Sequence, residues 1–300
     1  MKLDFIENLP ARDYHADPCE RPSLSSSIAT EMLIHSPRHA WRLHPKLGKR
    51  TRKSTNSQKL GTVTHALLLG QEHLLERIEA KEYRSNADKT LRDDAAARGK
   101  IPVKAHEYDE ALEHAARIDN ALRREHGIVL GSMKRELTAI WSEHTDVPGQ
   151  APADVLCRAR LDAFDGATIY DIKTAADASY NKLVRSTLSF GYNVQMAAYV
   201  SAVEHIEPSR AGRVTFVLLV IENETDEVVP VELDGTFREL GRQRWQEAVN
   251  AWHTCLSSGR WPGYATGGPL LLECPDYARM ASDIEVSTLK GRVSRERRGY

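Results

Sequence analysis

The sequence predicts an α/β (α+β) protein built on a central mixed β-sheet flanked by helices. Three observations carry that prediction. Three strand-like runs, 136–144, 154–164 and 167–174, follow one another between turn residues. An apolar helical pattern over 192–205 comes next, and then a β pair at 213–223 and 227–234. Further helical patterns precede and follow this block, so helices and strands are expected to pack around one sheet.

Residues 1–22 are irregular, rich in Pro and Asp, and read as an ordered arm or a loose lead-in. The segment "SLSSSIATEMLIHSPRHAWRLHP" opens with serines suited to capping a helix, and Ile28, Met32 and Leu33 follow at helical spacing until Pro37 limits or restarts it. The basic stretch 48–58 reads as an exposed loop. "KLGTVTHALLLGQEHLLERIE" is expected as one helix, with apolar residues at 63, 67, 68 and 69. Residues 84–104 are polar, contain Gly99 and Pro102, and read as an excursion away from the core. "EYDEALEHAARIDNALRREH" is an amphipathic helix ending near Gly127. Pro148 and Gly149 mark the turn after the first strand, and Asp165-Gly166 the turn after the second. A long amphipathic helix over about 236–257 leads into "GRWPGYATGG" and an irregular tail. The expected organisation is an arm (1–22), one domain (23–265) and a tail (266–300).

At 300 residues, 41% hydrophobic and 28% charged, the chain has the material for a sizeable core and the composition of a globular protein. No apolar run approaches the roughly 20 residues of a membrane span. The first residues lack an apolar h-region, so a cytoplasmic protein without membrane partners is expected. Cysteines at 19, 157, 255 and 274 form no C-x-x-C pair, which argues against a zinc ribbon, an iron–sulfur cluster and a disulfide framework. They read as reduced and mostly buried, and the tryptophans as core. The net charge of −1, from 41 basic and 42 acidic residues, lacks the basic excess of many nucleic-acid-binding domains. A metal-dependent nuclease gathers acids at its site and bases around it, so its sum can cancel. Basic clusters at 44–59 and 290–300 read as solvated segments, with phosphate contact as the alternative.

The chemistry concentrates in "LCRARLDAFDGATIYDIKTA" (156–175). A two-residue loop at Asp165-Gly166 would pair 162 with 169, 160 with 171 and 158 with 173. Opposite residues share a face, so Arg158, Arg160, Asp162, Asp171 and Lys173 would lie together, with Asp162 diagonal to Asp171. A one-residue slip would undo this. A solvated hairpin would not be covered by an apolar helix, yet 192–205 follows, with Gln195 and Tyr199 on one side of it. Two carboxylates able to bridge a divalent cation, with a lysine beside them, suit Mg²⁺ and phosphoryl chemistry. The cation would stabilise charge on a scissile phosphate, and the lysine would orient water or neutralise that charge.

Asp162 followed by "DIKT", with Asp171 and Lys173, resembles the PD-(D/E)XK nuclease pattern, with leucine where the pattern has proline. "QMAAY" (195–199) is similar to the Q-x-x-x-Y helix of the RecB-like and exonuclease-type branches, and "LGTVTHALLLG" to their G-x-x-x-H helix. "YHADPCERPSLSSSIATEMLIHSPRHAW", "CRARLDAF", "YDIKTAADAS" and "WPGY" further resemble the exonuclease VIII (RecE C-terminal) family, so the likeness spans about residues 14–264. It implies a PD-(D/E)XK core and Mg²⁺-dependent 5′-to-3′ degradation of linear duplex DNA, with Mn²⁺ able to substitute. It also implies a ring-shaped homo-oligomer that encloses DNA, and a single-strand annealing partner for phage-type recombination. Carried over, His65, Asp162, Asp171 and the carbonyl of Ile172 would be metal ligands and Lys173 the catalytic lysine. Gln195 and Tyr199 would position the substrate backbone or the lysine, and Glu136 would be an additional acid. Arg158 and Arg160 would either bind DNA phosphates or balance the acids. "YRSNADKT" (83–90) departs from the family's basic run, which puts DNA gripping by Arg84 or Lys89 in doubt. A PD-(D/E)XK endonuclease, a single-strand exonuclease and a non-catalytic DNA-binding or assembly protein are the alternatives.

Overall fold

The computed structural model describes residues 3–48, 56–149, 151–265, 268, 269, 271, 272, 274 and 275. Residues 49–55 of the first basic cluster, and the whole of 290–300, lie outside the described residues. The chain divides into two units, 1–261 and 262–300, and the described residues of the second form no helix or strand.

The first unit begins with β1 (Asp4–Ile6), α1 (Ala11–His15), α2 (Ser26–Ile34) and α3 (Pro37–Leu43). It continues with α4 (Asn56–Leu68), β2 (Leu75–Ile78), α5 (Asn86–Ala97), β3 (Ile101–Lys104) and α6 (Ala105–His126). Three strands follow, β4 (Lys134–His144), β5 (Asp154–Phe164) and β6 (Thr168–Ala175). The remaining elements are α7 (Tyr180–Ser189), α8 (Tyr192–Ile206), β7 (Thr215–Glu222), β8 (Val228–Glu232) and α9 (Gly235–Ser258).

Six strands form the main sheet in the order β1-β4-β5-β6-β7-β8. Only the β6–β7 pair is parallel, because the chain returns through α7 and α8 before entering β7. β7 shows why the sequence "TFVLLVIE" is apolar throughout. Phe216, Leu218 and Val220 pack with α2, α8 and α9, whereas Val217, Leu219 and Ile221 pack with α4 and α6. Both faces of this strand are covered, so alternation disappears. Trp141, Trp245 and Trp252 are buried, as are Cys19, Cys157 and Cys255, and no described cysteine is in a disulfide. No helix among the described residues is long and apolar enough to cross a membrane.

Several elements depart from the sequence expectation, each for a local reason. The single helix expected over 59–79 stops at Leu68. Gly70, at φ +66, receives it, and the Gln71 N–H reaches back to the Ala66 carbonyl at 2.7 Å, which satisfies the last carbonyls. Leu75–Ile78 is instead a strand, paired in parallel with Ile101–Lys104. The segment read as an excursion contains α5, started by a capping box in which Ser85 and Asp88 exchange side-chain-to-backbone bonds. Residues 1–22 contain a strand and a short helix, β1 pairing with β4. The hairpin turn is longer than two residues. Phe164 pairs with Ile169 and Ala163 with Tyr170, and the Asp165 carboxylate accepts the N–H groups of Ala167 and Thr168 across the turn. The pairing shifts by two positions, which preserves alternation.

Candidate active site

The cleft exists because β5 and β6 part company. Their ladder holds only at Ala163–Tyr170 and Phe164–Ile169. The next rung is made by a side chain: the Ile172 N–H donates to Asp162 Oδ2 at 2.8 Å. Further along β5 its backbone pairs with Leu24, whose N–H donates to the Leu156 carbonyl while its carbonyl accepts from Arg158 N–H. The segment at Leu24, just after the arm, thus occupies the place that β6 vacates.

α4 closes the opposite wall. A Cβ at Gly61 would lie 3.0 Å from the Thr174 hydroxyl, so the helix packs tightly on β6 at this glycine. One turn later, His65 is delivered to the acids. Its Nε2 lies 3.0 Å from Asp162 Oδ2, and its Nδ1 lies 3.8 Å from Glu136 Oε1. Glu136 belongs to β4 and adopts φ +53, a left-handed conformation that is costly for glutamate. The pairs Arg135–Ala163 and Leu137–Leu161 bracket it, so the unusual backbone sits directly across from Asp162. Candidate ligand atoms of His65, Glu136 and Asp162 all lie within 4.8 Å of one another. Asp171 lines the same cavity of 1020 Å³. Its Oδ1 accepts from Gln195 Nε2 at 2.7 Å, and its Oδ2 is ion-paired with Lys173.

The electrostatics follow from crowding three acids in a cleft. Burial opposes a charge on His65, but Asp162, and then Glu136 and Asp171, outweigh it and push the imidazole up to about 9. Burial, reinforced by the Asp162 charge and opposed by Lys173, pushes the Asp171 carboxyl up to about 6. Asp162 goes the other way: burial would raise it, yet His65, Lys173 and the Ile172 N–H hold it down. Lys173 is raised by Asp171 and Asp162 against the effect of burial. Two carboxylates and an imidazole in reach of one point, with a third carboxylate beside them, are a donor set that fits a hard divalent cation.

The structure therefore brings His65, Glu136, Asp162, Asp171, Lys173, Gln195 and Tyr199 to one cavity, with Ile172 in its wall. Tyr199 is buried, and its hydroxyl pKa is well above the ordinary value because of that burial and the Asp171 charge. Glu136 stands in the compact trio, whereas Asp171 stands one step aside with Lys173. Arg158, expected as a candidate DNA contact, does not line the cavity. Its guanidinium is buried, donating to the Ser23 carbonyl and hydroxyl at 2.7 Å each, with Asp17 at 3.4 Å. It clamps the arm to β5. Arg160 does line the cavity, but its Nη1 donates to the Leu9 carbonyl at 2.8 Å and its Nε is paired with Glu136. It balances an acid and ties the arm to the site. The sequence reading missed Tyr192, whose ring centroid lies 5.3 Å from Lys173 Nζ, and the partly exposed wall formed by Tyr14 and His15.

A split sheet with acids on the parting strands and a lysine two residues beyond the second acid defines a PD-(D/E)XK nuclease domain. The chain belongs to the family described as PDDEXK-like domain of unknown function (DUF3799), whose model matches residues 26–269. Among solved structures, a "putative exonuclease" from Eubacterium rectale matches with a TM-score of 0.55 and 13% identity. That match covers 91% of this chain and 98% of that one, and at such identity it shows the fold alone. A second structure, SSO0001, reaches a TM-score of 0.27 at 13% identity over 70% of this chain and 95% of that one, too low to carry an argument. No curated protein matches the sequence.

Proposed function

We propose that this chain is a metal-dependent deoxyribonuclease, acting as a 5′-to-3′ double-strand exonuclease that produces single strands for phage-type recombination. The observation that supports it is the meeting of His65, Glu136 and Asp162 with the Asp171–Lys173 pair in one cleft. His65, Glu136, Asp162 and Asp171 would hold Mg²⁺ or Mn²⁺, with the Ile172 carbonyl as a further oxygen. A divalent cation held there supplies Lewis-acid stabilisation of phosphate charge and a lowered pKa for water. Lys173, whose charge is favoured by Asp171 and Asp162, would neutralise charge developing on a scissile phosphate. Gln195 fixes one oxygen of Asp171 and thereby the direction of the other, and the buried Tyr199, one turn along the same helix, lines the same cavity. A ring-shaped homo-oligomer would let a nearly neutral chain retain duplex DNA by enclosure, with an annealing protein taking the single strand.

End-labelled linear duplex with Mg²⁺, digested by wild type and by Lys173→Ala, tests the reading. Stepwise loss of the 5′ label by wild type, abolished in the variant, is expected. Continued degradation of a duplex with blocked 5′ ends would refute the polarity. Nicking of closed circles would replace exonuclease by endonuclease, and intact DNA in every divalent ion would refute the nuclease.

A further inference from the structure

The cavity holds an aromatic feature that the hydrolytic residues do not use. Phe190 is 62% exposed, yet it lines the same cavity as Asp162, Asp171 and Lys173. Its ring centroid lies 5.7 Å from that of Tyr192 at 40°, and Tyr192 in turn carries Lys173 Nζ 5.3 Å from its centroid. The sequence from lysine outward is therefore cation, committed ring, uncommitted ring. The platform is rigid. Phe190 ends α7, its N–H bonding the Ser186 carbonyl at 2.9 Å, and Gly191 starts α8 at φ +69. A Cβ on Gly191 would meet the Thr30 hydroxyl at 2.6 Å, so the turn is pressed against α2 and the two rings are held on either side of it.

We infer that Phe190, buttressed by Tyr192, is a stacking platform for the base of a terminal or unpaired nucleotide whose phosphate lies at Lys173. The inference rests on the cleft being a phosphodiester site. An exposed apolar ring fixed within a nucleotide's reach of a phosphate-binding cation matches the division of labour in single-strand grooves, where cations hold the backbone and aromatic faces hold bases. A base inside a duplex has both faces covered by its neighbours, so only an end or an unpaired position offers a free face to Phe190. Tyr180, at 81%, is more exposed than Phe190 but lies outside the cavity, which makes it the control.

The test uses the full chain in EDTA, so that no hydrolysis occurs, with a short oligonucleotide carrying 2-aminopurine at its 5′-terminal nucleotide. Wild type is expected to quench the probe on binding. Phe190→Ala should lose the quench and bind about tenfold or more weakly, Phe190→Trp should keep both, and Tyr180→Ala should match wild type. The site is on the surface, so circular dichroism should show Phe190→Ala folded. No quench by wild type, or equal quench and affinity in Phe190→Ala, overturns the platform. Parallel digestion of the labelled duplex with Mg²⁺ separates the two ideas. Quenching that depends on Phe190 in a protein that cuts nothing would sink the nuclease and leave the platform. Cutting by wild type with Phe190→Ala unchanged in quench and affinity would sink the platform alone.

Discussion

Replacing Glu143 by leucine should destabilise the protein severely, although Glu143 touches no part of the cleft. Its Oε1 accepts from the indole N–H of Trp141 and of Trp245 at 2.8 Å each, and from the Ser201 hydroxyl at 2.5 Å. One oxygen thus joins β4, α9 and α8. Leucine would leave both indole donors buried without an acceptor, while Ser201 keeps His205 Nδ1 at 3.1 Å. Each orphaned donor costs about 1–3 kcal/mol, giving roughly 2–6 for the pair, and relief from burying a carboxylate pulls the expected value to about 3. Glu143→Gln retains a carbonyl oxygen and loses only the charge assistance, about 1 kcal/mol. Urea unfolding followed by tryptophan fluorescence should move the midpoint of the leucine variant down by about 1 M or more and that of the glutamine variant by a third of that. Because α8 also carries Gln195 and Tyr199, nuclease activity should fall in the leucine variant below its unfolding midpoint. A leucine variant within about 1 kcal/mol of wild type, or a glutamine variant as damaged as leucine, would refute the account of Glu143 as a shared acceptor.

Isothermal calorimetry with Mn²⁺ or Mg²⁺ should give binding heat for wild type and none for Glu136→Gln or Asp171→Ala; absent heat in all three removes the metal. The Asp17 carboxylate is buried, which would raise its pKa, but His44, Arg158 and Ser23 hold it well below the usual carboxylate range. Its stabilisation is therefore complete above about pH 4, the unfolded value, and is lost as pH falls toward the low folded value. Urea unfolding at pH 7 and near pH 3 should show a steeper acid loss for wild type than for Asp17→Asn, and parallel losses would contradict the clamp. Gly191→Ala should cost about 1–3 kcal/mol from the left-handed backbone, with the Thr30 clash adding to it; a thermal midpoint equal to wild type would show that the turn relaxes freely.

Much of the fold was readable because its central block obeys simple periodicities. The strands ending in "DAF" and "DIKT", the Asp-Gly between them and the apolar helix after them all stand close to where the sequence puts them. The meeting of Asp162, Asp171 and Lys173 in one candidate cleft was readable for the same reason, since they share one hairpin, whereas His65 and Glu136 came from the family resemblance. What failed was short or remote. Leu75–Ile78 has only four residues, and its partner Ile101–Lys104 lies in a polar stretch, so neither carries a pattern that separates strand from helix. α5 buries only Ala95, which leaves no apolar stripe, although its Ser85–Asp88 capping box is visible in the sequence. The fate of Arg158 was beyond reach. Alternation gives the side of a strand, but not that a buried acid in the arm, Asp17, waits there with Ser23 and His44.

The Leu24 rung bears on where the chain can be cut. The family match begins at residue 26, two residues after the segment that pairs with β5 and nine after the acid that clamps Arg158. A protein trimmed to that boundary would keep every candidate ligand and still lose the backbone partner of residues 156–158. It would uncover an unpaired edge in the middle of a sheet and an arginine without its carboxylate. Such a fragment is expected to aggregate, and its silence in a digestion assay would say nothing about the cleft.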